Sequence, residues 1–152
     1  MLIILGFLLY LIFGVKGEDY VEQTEEFADP KMASSVLGGI LKTTIDCSTG
    51  TETKKYSVTE LLQDCYNWDL IGCGSTSFCE VPESRIEFML NKTLRDWGKS
   101  YWFEVAAGIS SGKPDITINH RGCTKASRQR KPTLQPIPIM GGTLNVSLGI
   151  CD

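Results

Sequence analysis

The sequence predicts an α+β domain, one main helix packed on a four-stranded antiparallel sheet, with a disulfide-stapled N-terminal and insert region. Three observations lead there. The apolar spacing changes from helical to alternating after Gly98, so helix precedes sheet instead of interleaving with it. Four short segments then follow, with turn residues between them. Finally, the chain of 152 residues carries six cysteines, the first at Cys47, an even number that fits three disulfides in a small secreted domain.

Met1 to Gly17 reads as a secretory leader. Leu2 to Val15 is almost purely apolar, and Val15-Lys16-Gly17 offers acceptable residues to a signal peptidase. The run is shorter than the about 20 apolar residues that span a bilayer; an uncleaved anchor is the alternative. Cleavage would leave an extracellular chain with no membrane attachment, long enough for one compact domain at 30–152. Lys and Arg number 15 against 18 Asp and Glu, a net charge of −3. The leader's one charge is Lys16, so the remainder is slightly more acidic. Such a balance gives no reason to expect nucleic acid or an anionic membrane as partner. The expected state is a monomer. Two sequons, at Asn91 and Asn145, agree with secretion and mark expected glycosylation sites.

Residues 18–29, EDYVEQTEEFAD, carry six carboxylates and no base, and read as a mobile acidic arm. Asp29-Pro30 then starts a short helix that Gly38-Gly39 should stop after Leu37. Residues 48–55 read as a loop. Ser57 and Glu60 form a capping box before a short helix through Leu61, Leu62 and Cys65. Between Cys65 and Cys79, glycine, serine and three cysteines make a segment that disulfides must hold. The clearest helix starts at a second capping box, Ser84 with Glu87. It carries Ile86, Met89, Leu90, Leu94 and Trp97 on one stripe, with Asn91 off it and exposed, and it ends at Gly98. The strands follow: SYWFEVAA, then DITINH with Ile116 and Ile118 inward. TLQPIPIM is an edge strand because of its prolines. In TLNVSLGI, Leu144, Val146, Leu148 and Ile150 face in, while Asn145 and Ser147 face out.

Catalysis is not expected. Six paired cysteines leave no thiolate, and the acids crowd into the arm. A Ser-His-acid triad would have to use His120, a lone strand histidine. No Cys-x-x-Cys pair is present, so no metal is expected, and no phosphate-cradling glycine loop suggests another cofactor. The basic stretch 121–132, RGCTKASRQRKP, reads as a solvated hairpin loop, with polyanion binding as the alternative.

Six cysteines allow 15 pairings, and their spacing does not choose among them. The order of helix, hairpin, cysteine, hairpin and terminal cysteine resembles the cystatin family. EVAAGIS, 104–110, is similar to that family's first hairpin loop, with Glu104 where glutamine is usual. INHRGCTK, 118–125, is similar to the strand bearing its penultimate cysteine, and IMGGTLNVSLGICD, 139–152, to its second hairpin and last strand. The resemblance implies a Cys123–Cys151 disulfide. It also implies a secreted inhibitor that occludes papain-like cysteine proteases through Glu104, Val105, Ala106, Ala107, Gly108, Ile139, Met140 and Gly141. The family's N-terminal inhibitory glycine would be Gly38 or Gly39. The same hairpin residues also read as an ordinary strand end and tight turn. A different class of protein fits the sequence as well: a secreted receptor-binding ligand or a venom- or salivary-type effector. Its contact surface would be the 65–79 loop with Tyr66, Trp68, Leu70 and Phe78.

Overall fold

The computed structural model of the chain describes residues 19–49, 52–67, 73, 76, 77, 79–107, 115–126 and 132–151, with backbone only for 19–29 and 49. Helix α1 spans Asp19–Lys42 and leads into a hairpin of β1 (Thr44–Thr49) and β2 (Glu52–Ser57). Helices α2 (Val58–Asn67) and α3 (Glu80–Leu90) follow, the latter extended by a wider π turn at Asn91–Arg95. Strands β3 (Ser100–Ala107), β4 (Ile116–Asn119), β5 (Thr133–Ile139) and β6 (Gly142–Cys151) complete the order. The last four form an antiparallel sheet in the order β4-β3-β6-β5. The α+β class and the four strands agree with the sequence reading. The single main helix is replaced by three, and α1 is the one packed along β5 and β6.

The acidic segment 18–29 departs from the expected arm, since the backbone is helical from Asp19. Its Glu, Gln and Ala are good helix formers, and carboxylates near a helix amino terminus oppose the positive end of the dipole. Nor does the helix stop at Gly38-Gly39. Ala33, Leu37, Ile40 and Leu41 form one buried stripe that carries it through both glycines. The burial of each large side chain, about 1.5–3 kcal/mol, outweighs the roughly 1 kcal/mol that a helical glycine costs. The helix ends where Thr43 closes back on the Gly39 carbonyl, through its N–H at 3.1 Å and its hydroxyl at 2.9 Å.

Residues 48–55, expected as a loop, lie mostly in the β1–β2 hairpin, with Thr49 opposite Glu52. The Ser57–Glu60 capping box is formed: the Glu60 carboxylate accepts from the Ser57 N–H (2.6 Å) and hydroxyl (2.8 Å), and the Glu60 N–H donates to the Ser57 Oγ (3.2 Å). The second box is not. Helix α3 starts earlier, where Ser77 Oγ accepts the Glu80 N–H at 3.2 Å. Ser84 Oγ instead donates back to the Val81 carbonyl. Pro82 fits the first turn because no intrahelical bond needs its missing N–H there. At the far end Gly98 adopts φ +76°. The Gly98 N–H meets the Arg95 carbonyl and the Lys99 N–H the Leu94 carbonyl, both at 2.9 Å, a Schellman closure.

On the α3 stripe Ile86, Leu90 and Leu94 are buried, but Trp97 is 60% exposed because it follows the π turn and has left the helical register. Asn91 is not exposed as expected: it is half-buried, with its Oδ1 accepting the Tyr101 hydroxyl at 3.2 Å. The inward strand residues are placed as expected: Ile116, Ile118, Leu144, Val146, Leu148 and Ile150 all join the core. Strand β5 is an edge, and Pro136 and Pro138 share one parity of it. In an antiparallel edge strand alternate N–H groups point away from the neighbour, so both prolines fit there.

The outer face of the sheet holds a second, smaller core. The segment 120–126 folds over it through the Cys123–Cys151 disulfide, which packs on the buried indole of Trp102. Lys125 lies above that ring at 6.0 Å and pairs with the Glu104 carboxylate at 2.6 Å. Outward-facing Ser147 is consequently buried and Asn145 half-buried. The other two disulfides are Cys47–Cys73 and Cys65–Cys79. Among the described residues no helix is long and apolar enough to cross a membrane.

Candidate functional site

Strand register brings the two hairpin ends together. Ala107, the last residue of β3, lies opposite Leu144, two residues into β6. The Met140-Gly141 turn joins β5 to β6 beyond the Ile139–Gly142 pair, so it opens at the same end as the β3–β4 connection. Gly141 at φ +81° supplies the left-handed residue of that turn.

Helix α2 clamps this end. Gln63 Nε2 donates to the Pro138 carbonyl at 2.8 Å, and Asn67 Oδ1 accepts the Met140 N–H at 2.7 Å. The two side chains are four residues apart, hence on one flank of the helix. One residue away Tyr66 is buried and donates its hydroxyl to the Val105 carbonyl at 3.5 Å. Burial pushes the Tyr66 phenol above its ordinary range, with the Asp115 charge adding to the effect. Asp64 is likewise raised, by burial first and then by the charge of Glu60. The chain leaves α2 at Asn67, beside Met140, to enter the segment closed by Cys65–Cys79. Of the second candidate surface, the described start at Asn67 lies at this sheet end.

The individual residues differ in what they can do. Val105 is fully buried and its side chain cannot touch a partner. Glu104 points to the outer face and is engaged by Lys125. Ala106 and Ala107 are half-buried at the rim, and Ile139 is half-buried against the core. Met140 is 65% exposed, and Gly141 is exposed beside it. Gly108 lies outside the described residues, as do Trp68, Leu70 and Phe78. Tyr66, expected as an exposed anchor, is a core residue, because α2 turns Leu62, Cys65 and Tyr66 onto the sheet. Gln63 and Asn67 were not legible as site residues, and only their i, i+4 spacing on the polar flank hints at a shared role.

The Cys123–Cys151 pairing is present, and all six cysteines are paired. Among the described residues no three His, Cys, Asp or Glu side chains gather as metal ligands. His120 stacks on Tyr101, with ring centroids 5.4 Å apart, and its Nδ1 is buried with no hydrogen-bond partner among the described residues. Gly38 and Gly39 lie inside α1 and not in an extended amino-terminal strand. No family model matches the chain, and neither does any curated protein or solved structure. What the sheet end offers chemically is a rim: small backbone-exposing residues, one protruding thioether, and a support of hydrogen bonds from α2, two at the surface and one, from Tyr66, buried.

Proposed function

We propose that this chain is a secreted, non-catalytic binding protein whose contact surface is the sheet end built by Ala106-Ala107, Met140-Gly141 and the start of the 65–79 segment. The target class proposed is a papain-like cysteine protease, occluded and not cleaved. The observation that carries the reading is the α2 clamp on Pro138 and Met140 beside the Ala107–Leu144 pair. A rim held in its bound shape loses less entropy on association, which is where a preorganised binder gains affinity. Small residues at Ala106 and Ala107 let backbone approach a narrow cleft, and Met140 adapts to an irregular apolar wall. With both glycines of the pair at 38–39 inside α1, the wedge consists of the two hairpins alone. Secretion is supported by the apolar leader, the two sequons and three disulfides.

The receptor-ligand reading keeps one observation of its own, the emergence of the 65–79 segment beside Met140. A single titration separates the two. The oxidised protein is added to papain and to a lysosomal cysteine protease, alongside Met140→Glu and Ala107→Trp variants whose folding is checked by circular dichroism. Inhibition that both variants lose supports occlusion by the rim. Absence of inhibition at micromolar protein removes the protease as target and leaves the 65–79 segment to be tested against receptors.

A further inference from the structure

A second surface lies away from the rim, between the hairpin and α3. Thr43, Thr44, Ile45 and Asp46 form one wall of a groove of about 330 Å³, and Arg85, Phe88 and Met89 form the other. Three consecutive residues of β1, Thr44 to Asp46, line it, preceded by Thr43 just past the end of α1. Because alternate side chains of a strand point to opposite faces, such a run presents its backbone edge and not one face. Strand β1 pairs with β2 on its other side and with no further described strand. An unpaired strand edge offers a row of N–H and C=O groups to an incoming chain.

The opposite wall is chemically marked. Phe88 is 55% exposed on a helix whose other large apolar residues face the core. At 100° per residue, Arg85, Phe88 and Lys92 share one flank of α3 and its π turn, while Glu80, Glu83 and Glu87 fall on the other. Among the described residues no ion pair neutralises Arg85 or Lys92. The one acid lining the groove, Asp46, is already paired with Lys55 at 3.9 Å. Lys42, exposed at the end of α1, adds a further cation next to Thr43.

We infer that this groove takes an extended acidic segment of a partner protein, which adds as a strand to the free edge of β1. Its carboxylates meet Arg85 and Lys92, and one of its apolar side chains covers Phe88. The mode is strand addition, in which backbone bonds supply affinity and alternate side chains supply choice.

The test uses the oxidised, folded protein and two fluorescein-labelled, end-blocked decapeptides, one alternating glutamate with valine and the other lysine with valine. Fluorescence anisotropy should show the acidic peptide binding, with affinity that falls as salt rises. Arg85→Glu should weaken it about tenfold or more, the scale of a lost charged contact. Phe88→Ala should also weaken it, and both residues are exposed enough to be changed without unfolding the chain. Bound peptide should slow hydrogen exchange at amides within 44–46 that do not pair with β2. Equal binding of the two peptides, or acidic binding that neither variant alters, overturns the proposal. So does a concentration-dependent dimer that Phe88→Ala dissolves, which would make a second copy the occupant.

Discussion

Replacing Gly149 with alanine probes the outer face at its tightest point. Gly149 stands directly opposite Trp102 across β3 and β6. A Cβ there would overlap the indole at Nε1 and stand 2.6 Å from Cε2 and 2.9 Å from Cδ1. Relaxed carbon contacts lie at about 3.5–4.0 Å, so the ring has to retreat by roughly 1.5 Å at Nε1. It has little freedom to do so: it is 2% exposed, it packs on the Cys123–Cys151 disulfide, and Lys125 lies above it. If ring and strand share the shift, the cost is that of overpacking a core, about 1–3 kcal/mol. If the indole swings into water, the loss approaches that of truncating a buried tryptophan, about 3–5 kcal/mol. The expected destabilisation is therefore about 2–4 kcal/mol, between those limits. Urea unfolding of the oxidised protein measures it, in a Trp68→Phe, Trp97→Phe background where fluorescence reports Trp102 alone. The emission maximum should move to longer wavelength as the midpoint falls. In a Trp102→Ala background the same Gly149→Ala change should cost less than about 0.5 kcal/mol, since the clash is gone. A full cost in that background, or unchanged stability and emission in the first, would refute the packing argument.

Removing the formed capping box with Ser57→Ala should cost about 1 kcal/mol in urea unfolding. The Ser57 backbone N–H, and then its hydroxyl, hold the Glu60 carboxyl below its ordinary range. That support is present above the unfolded value, near 4.5, and is lost as pH falls through the folded one; Glu60→Gln should therefore flatten the acid limb of the stability profile. Burial raises the phenols of Tyr66 and Tyr101 above 10.0, so stability should decline as pH rises beyond that value, less steeply in Tyr66→Phe when followed by circular dichroism. Gly39→Ala should stabilise the chain by about 0.5–1 kcal/mol in thermal unfolding, because the position is helical and exposed and an added Cβ meets nothing within 4 Å. Asn67→Ala should leave global stability within about 1 kcal/mol while speeding hydrogen exchange at the Met140 amide.

The sheet strands were legible from their inner face, whose continuous burial is what imposes a period of two. Ile116, Ile118, Leu144, Val146, Leu148 and Ile150 carry that signal without help from neighbours. Strand β2 lacked it, since Glu52, Thr53, Lys54 and Lys55 are all exposed, and in β1 the alternation through Ile45 and Cys47 is too short to tell a strand from a continued helix. Two capping boxes of equal quality appear in the sequence, and only one forms. Ser77 lies closer to Cys79, whose disulfide to Cys65 joins the start of α3 to α2, and Ser84 is left inside the helix. The glycine pair at 38–39 was a reasonable stop that a buried stripe overrode. At the site, the exposed turn at Met140-Gly141 was visible from its residue types. The burial of Val105 and Tyr66, and the clamp from Gln63 and Asn67, depend on how α2 meets the sheet, which no local pattern encodes.

The disulfides also divide the chain into two covalent territories. Cys47–Cys73 and Cys65–Cys79 overlap in sequence within the first half, Cys123–Cys151 closes a separate ring in the second, and no bridge joins the two. A protease cut among the basic residues at 127–131 would fall inside the second ring and leave one molecule on a non-reducing gel. A cut between Cys79 and Cys123 would leave two, held together only by strand pairing and core packing. The peptide bonds between the rings are thus the only covalent link between the part that supplies α2 and the part that supplies the hairpin rim it supports.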